Sequence, residues 1–255
     1  MRPHDMDPID SEMAGHLSRQ PTGDPAFPCA GQGGAEHDLR GRTGGPEDAG
    51  SQTRVPDHAT RHIETALGRV SYLELAPHLA ERVQAAEVEI AQGFYAGDPL
   101  DERLVLTLHR RICGDLVPAW AGCWRATEVQ VGSHRPPQPW QVPLLMREYA
   151  LDLECRMEGL GETPTDLWLE FLAFAEGRLL SVHPFADFNG RVTRLFMAEI
   201  LRRINAPDVD LTPDTGEPTR RYLDALRAGD AGDWQPLARM WRERLENAFG
   251  LTPEA

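Results

Sequence analysis

From about residue 59 onward the apolar residues of this chain recur at steps of three and four, and only one stretch alternates. That spacing gives each segment one apolar face when wound as a helix, and it leaves little room for a sheet. The predicted fold is therefore all-α. Helices are expected in "HIETALGRVSYLELA" and "HLAERVQAAEVEIAQGF", divided by Pro77, and in "DPLDERLVLTLHRRICGDL", where Asp98 suits a cap and Pro99 the first helical position. Further helices are expected in "VPLLMREYALDLECRMEGL", from Thr165 to about Leu180, and in "NGRVTRLFMAEILRRI", "PTRRYLDALRAG" and "DWQPLARMWRERLENAF". The exception is "CWRATEVQVG", whose alternation, followed by the Pro-rich "SHRPPQPWQ", predicts a short β-hairpin or flap.

Residues 1–57 differ in kind. They are dense in Gly, Pro and acidic residues and poor in aliphatics, so they bury too little apolar surface to offset ordering entropy, and a disordered tail is expected. A second segment, 58–97, holds the N-terminal helices, and the main domain is expected over 98–250. The net charge of −14 argues against a general nucleic-acid binder. No apolar run is long enough to span a bilayer, and the first residues lack the apolar core of a secretory signal. Cys29, Cys113, Cys123 and Cys155 show no paired spacing, so free thiols and a cytoplasmic location are expected.

One loop departs from ordinary helix chemistry. In "SVHPFADFNGRVTRLF" a helix is expected to begin near Asn189, yet Arg191 and Arg194 lie in its first turn and a half, where the dipole favours acids. The two arginines share a face and lean back toward the N-terminus. Exposed N–H groups and two guanidinium forks therefore converge on one volume, which makes sense when a polyphosphate fills it. Polyphosphates commonly arrive with Mg²⁺, and Asp187 is the nearest carboxylate. His183, placed where Pro184 ends the preceding helix, suits a general base near neutral pH. The reaction class so indicated is in-line displacement at phosphorus.

"HPFADFNGRVTR" resembles the Fic (filamentation-induced-by-cAMP) family pattern H-P-F-x-D/E-G-N-G-R-x-x-R, matching at His183, Pro184, Phe185, Asp187, Asn189, Gly190, Arg191 and Arg194. The stretch "LHRRICGDLVPAWAGCWRATEVQVGSHRPPQPWQVPLLM" is similar to that family's helix, flap and following helix. The resemblance implies a Fic-fold helical bundle with a short β-hairpin flap. It implies a protein adenylyltransferase that moves AMP from ATP to a Ser, Thr or Tyr hydroxyl of a target protein. In that reading His183 is the base and Asp187 holds Mg²⁺. Asn189, Gly190 and Arg191, with Phe188 in the same loop, cradle the α- and β-phosphates, and Arg194 meets the γ-phosphate. Glu128, Val129, Gln130 and Val131 form the flap strand that docks the target segment. Phe188 replaces the family's usual glycine; if its backbone needs positive φ, a bulky residue there is strained, and its ring narrows the phosphate cradle. Alternatives that follow from this departure are a donor other than ATP (UMP, phosphate or a phosphocholine-type group) or an inactive binding protein.

Many relatives carry an inhibitory helix with the pattern S/T-x-x-x-E-G/N. "TRHIET" supplies Thr60 and Glu64, with Thr65 at the last position, so Glu64 is a candidate to pair with Arg194 and occupy the γ-phosphate's place. If it does not, inhibition falls to a separate antitoxin-like partner. Trp120, Trp124 and Trp140 read as core, and His109 and His134 as structural or solvated side chains.

Overall fold

The computed structural model describes residues 62–250, except 67, 132–133, 162–164 and 212–216; the expected tail, Cys29 and Thr60 lie outside the described residues. Among the described residues the chain forms a two-stranded antiparallel hairpin and seven α-helices. The hairpin pairs β1 (His62–Thr65) with β2 (Gly68–Ser71), Ile63 facing Val70 and Glu64 facing Arg69. The helices are α1 (Tyr72–Ala91), α2 (Glu102–Cys113), α3 (Val142–Glu158), α4 (Asp166–Val182), α5 (Asn189–Arg203), α6 (Glu217–Asp230) and α7 (Gln235–Ala248).

The helix expected from residue 59 is thus corrected to a hairpin over 62–71. The residues fit it: Ile63 is buried between exposed His62 and Glu64, and Gly68 supplies the φ of 98° that the turn requires. The Ala66 N–H donates to the Leu116 carbonyl, which ties the turn to the body. Helix α1 then starts on a capping box, with Glu74 N–H donating to Ser71 Oγ at 3.3 Å and Ser71 N–H to the Glu74 carboxylate at 2.8 Å. Pro77 does not divide this helix. It sits in the second turn, where it removes only the bond to the carbonyl of exposed Leu73. Helix α2 begins three residues later than Pro99 suggests, because the Asp101 carboxylate accepts from the N–H groups of Arg103 and Leu104.

Helix α4 is the axis of the bundle, in contact with α3, α5, α6 and α7. Its sequence is apolar on nearly every face, as a surrounded helix must be, and Phe171, Leu172, Ala173, Ala175 and Leu179 are all fully buried. Gly177 of α4 and Gly229 of α6 admit the Trp234 ring between them; a Cβ on either would lie within 2.5 Å of it. These contacts fix α6 against the C-terminal half of α4, beside the loop that leads into α5.

The flap is the second correction. Residues 128–130 have no regular secondary structure, and among the described residues of the flap only Val131 and His134 pair, through an isolated antiparallel bridge. The segment is an open arm, with Glu128, Gln130 and Val131 exposed.

Candidate active site

Helix α4 stops at Val182, and His183 caps it in the left-handed region at φ 48°, its N–H donating to Leu179. The turn continues through Pro184 to a second left-handed residue, Phe188, at φ 64°, which caps α5. Two non-glycine residues at positive φ within six positions are strained by about 1–3 kcal/mol each, and the surroundings must hold them. Asn189 does part of this: its Oδ1 accepts from the Phe185 N–H and its Nδ2 donates to the Phe185 carbonyl, both at 2.9 Å. Its side chain is therefore buried and occupied within the loop, not offered to a ligand. What Asn189 and Gly190 present, as the first two residues of α5, are backbone N–H groups without intrahelical carbonyls.

The ring of Phe188 does not narrow the loop mouth. It is 3% exposed and stacks on Trp120, centroids 5.5 Å apart, with His109 tilted against it. Of the two conformations open to this position the positive φ is the one present, and aromatic packing offsets the strain. Trp120 and Trp124 pack against the core as expected, whereas Trp140 is exposed.

A cavity of about 450 Å³ opens above the loop, walled by α4, α5, α6 and the flap turn. His183, Gly190 and Arg194 line it on one side; Val131 and His134 line it from the flap; Leu180, Met197, Leu223 and Leu226 give it an apolar flank. At its floor Glu176, 2% exposed, accepts from the Tyr222 hydroxyl at 2.6 Å and from Arg244 at 2.8 Å. A larger cavity, about 570 Å³, lies behind α5 against α1, and Arg194 borders both. The smaller one holds the histidine and is the candidate site.

His183 is held well below its ordinary range, at about 4. Burial is the main cause, a hydrogen bond to the Leu180 backbone opposes it, and the Arg125 charge and the neighbouring His134 add to the lowering. At neutral pH the ring is uncharged and one nitrogen carries a lone pair, as a base requires. Arg194 leans back over Gly190, where a Cβ would meet its Nη1 at 3.9 Å. Burial and the neighbouring Arg191 depress its pKa below the ordinary guanidinium value. A cation so disfavoured is ready to receive an anion. Arg191 itself is turned to α1: its Nη1 donates to the Tyr72 hydroxyl at 2.5 Å, and its guanidinium lies 5.6 Å from that ring's centre.

The Asp187 carboxylate accepts from the Phe188 N–H at 2.8 Å. Among the described residues no three His, Cys, Asp or Glu side chains cluster, and Asp187 is the carboxylate of this loop. That suits Mg²⁺, which takes one or two carboxylates and fills its remaining positions from phosphates and water.

Glu64 does not reach this site. It lies on β1, 81% exposed, with its carboxylate 4.0 Å from Arg69. The inhibitory helix expected around it is absent from the described residues. The residues that sequence reasoning missed are Arg125, Asp230, Glu176, Tyr222 and Arg244, drawn from four separate segments with no shared spacing.

Residues 99–201 match the family model described as Fic/DOC family. This chain carries a Fic/DOC domain. The "Protein adenylyltransferase Fic" of Aedes aegypti is 31% identical over 147 residues, covering 58% of this chain and 28% of that protein. The chain thus spans a little over a quarter of the length of the curated relatives it matches. Among solved structures, Fic-1 (residues 134–508) of C. elegans superposes with a TM-score of 0.53 at 25% identity, covering 67% of this chain and 48% of that one. The BepC protein of Bartonella tribocorum, solved with bound AMPPNP, gives 0.54 at 20% identity over 72% of this chain and 92% of that one. The Fic domain therefore holds the loop, the flap and helices α2 to α5, and α6 completes its cavity. No helix among the described residues is long and apolar enough to cross a membrane.

Proposed function

We propose that this protein is a protein adenylyltransferase: it takes ATP in the cavity above the His183–Arg194 loop and transfers AMP to a hydroxyl of a target protein. The observation that carries the reading is the pairing of an uncharged histidine with an unbalanced cation on one cavity. His183 accepts the proton of the attacking hydroxyl, a role worth about 10²- to 10⁴-fold in rate. Arg194 and the N–H groups of Asn189 and Gly190 take the triphosphate, and the apolar flank takes the base. Mg²⁺, when bound, neutralises phosphate charge, and Asp187 is the residue that would hold it. The mostly exposed segment Glu128 to Val131 receives an extended segment of the target. The relatives named protein adenylyltransferase support the activity, and that support concerns this domain alone. We further infer that inhibition, where it occurs, comes from a partner protein.

The test is transfer of label from α-labelled ATP, with Mg²⁺, into proteins of a cell lysate. Label is expected with the native chain and absent with His183→Ala. Transfer that survives the substitution would remove the base.

A further inference from the structure

Arg125 is 4% exposed, yet every acceptor its guanidinium meets among the described residues is a backbone carbonyl. Nε donates to His183 at 2.8 Å, Nη1 to Thr127 at 3.2 Å, and Nη2 to Pro137 at 2.5 Å and Val182 at 3.4 Å. Its own N–H donates to the Pro184 carbonyl at 2.9 Å. Thr127 and Pro137 are the two feet of the flap; Val182, His183 and Pro184 are the corner where α4 ends. One planar fork thus spans both feet and the corner.

The end of α4 makes the charge tolerable there. The last carbonyls of α4 lack intrahelical partners and carry the negative end of its dipole, and α4 has no basic residue of its own in its last turn. Arg125 supplies that cation from another segment. A lysine would supply the charge but not the fork, since its donors share one nitrogen, whereas Arg125 reaches these carbonyls from three. A second tie runs parallel to it. His134 in the flap turn lies 2.8 Å from the Asp230 carboxylate and 3.0 Å from the Ser181 carbonyl, both acceptors, so the flap tip is anchored to α6 and to the same end of α4.

We propose that Arg125 is a positioning residue that makes the flap and the His183 corner one unit, fixing the separation between a strand docked on the flap and the ring nitrogen that takes its proton. The inference rests on the reading of His183 as the base. It predicts coupling: the flap cannot loosen without loosening the corner.

The experiment compares the full chain with Arg125→Gln and Arg125→Lys by hydrogen exchange of residues 126–138 and 181–190, with ATP–Mg²⁺ binding followed by calorimetry and the His183 ring titration by NMR. In Arg125→Gln both segments should exchange faster together, by about tenfold or more. The His183 midpoint should rise from about 4, because a nearby cation is gone, while ATP–Mg²⁺ affinity is unchanged. Arg125→Lys should keep the low midpoint but still loosen both segments; it carries the comparison alone if the glutamine variant fails to fold. Faster exchange in only one segment, or lysine behaving as the native residue, would overturn the proposal. Intact coupling in a native chain that transfers no label would instead remove the functional reading.

Discussion

The ring of His109 lies flat on that of Phe185, their centroids 3.8 Å apart and their planes 3° from parallel. This contact joins α2 to the loop between α4 and α5. The same histidine accepts at Nδ1 from the buried Gly122 N–H at 2.8 Å and hydrogen-bonds the Asp187 backbone. It is fully buried and held uncharged, at about 3, chiefly by that burial. His109 therefore supports the loop from beneath while His183 lines the cavity on its other side.

Replacing His109 by leucine should cost about 3 kcal/mol, because a buried N–H and a carbonyl lose their partners and each loss is worth roughly 1–3 kcal/mol. Urea titration measures it. His109→Phe retains the stack and should recover only a part. A leucine variant as stable as the native chain would mean the loop is held by other contacts.

The two buried histidines set a pH dependence. Their folded values, about 4 and about 3, lie below the ordinary 6.5, so below 6.5 the unfolded chain takes up protons that the native state refuses. Stability is therefore full above about pH 6.5 and falls as pH drops toward 4, at up to about 1.4 kcal/mol per pH unit for each group. His183→Ala should roughly halve that slope in denaturant titrations between about pH 6 and 4.5. Transfer activity, needing the uncharged ring, should stay level from neutral pH down to about 5.5, and a midpoint near 6.5 would contradict the burial of His183.

Phe188→Gly separates strain from packing. Glycine relieves about 1–3 kcal/mol of positive-φ strain, but the buried ring it deletes is worth about 3–5 kcal/mol. A net loss of about 2 kcal/mol is expected by thermal or urea unfolding. ATP affinity should not change, since the ring packs on Trp120 and does not line the cavity. A rise in affinity would restore the idea, natural from sequence, that the ring crowds the phosphates.

These outcomes show what the sequence could and could not disclose. The loop was legible because its chemistry is local: His183, Asp187, Gly190 and Arg194 lie within twelve positions, and α4 and α5 are long periodic helices. The hairpin was not, because four-residue strands give too short a pattern to outweigh the helical period that follows; the Ser71–Glu74 capping box was the available signal for where the helix begins. Pro77 was over-read as a break, although one missing bond near a helix start is affordable. Glu176, Tyr222 and Arg244 meet only in three dimensions, as do Arg125 and the His183 corner.

Glu64 offers a direct contrast between pattern and placement. The five-residue spacing that suggested a brake falls on β1, where Glu64 is exposed and beside Arg69. Glu64→Gly should leave self-labelling unchanged and cost no more than about 1 kcal/mol, the loss of one exposed strand residue. A several-fold rise in labelling would show that the hairpin segment adopts another arrangement on the active site.

Arg194 makes the opposite case, a residue whose cost to the fold is explained by its proposed use. Its guanidinium is half-buried, its pKa is depressed by burial and by Arg191, and only Tyr222, Glu87 and Tyr72 oppose that shift from a distance. Substitution by methionine keeps the stem and removes the disfavoured charge, so Arg194→Met should stabilise the ligand-free protein by about 1 kcal/mol, or about 2–4 °C in Tm. The native chain should gain stability as ATP–Mg²⁺ is added, following RT ln(1 + [L]/Kd), and the variant should gain none. Paired melting curves with and without nucleotide measure both effects. A variant less stable than the native protein, yet still stabilised by ATP, would mean that the triphosphate is not what balances this cation.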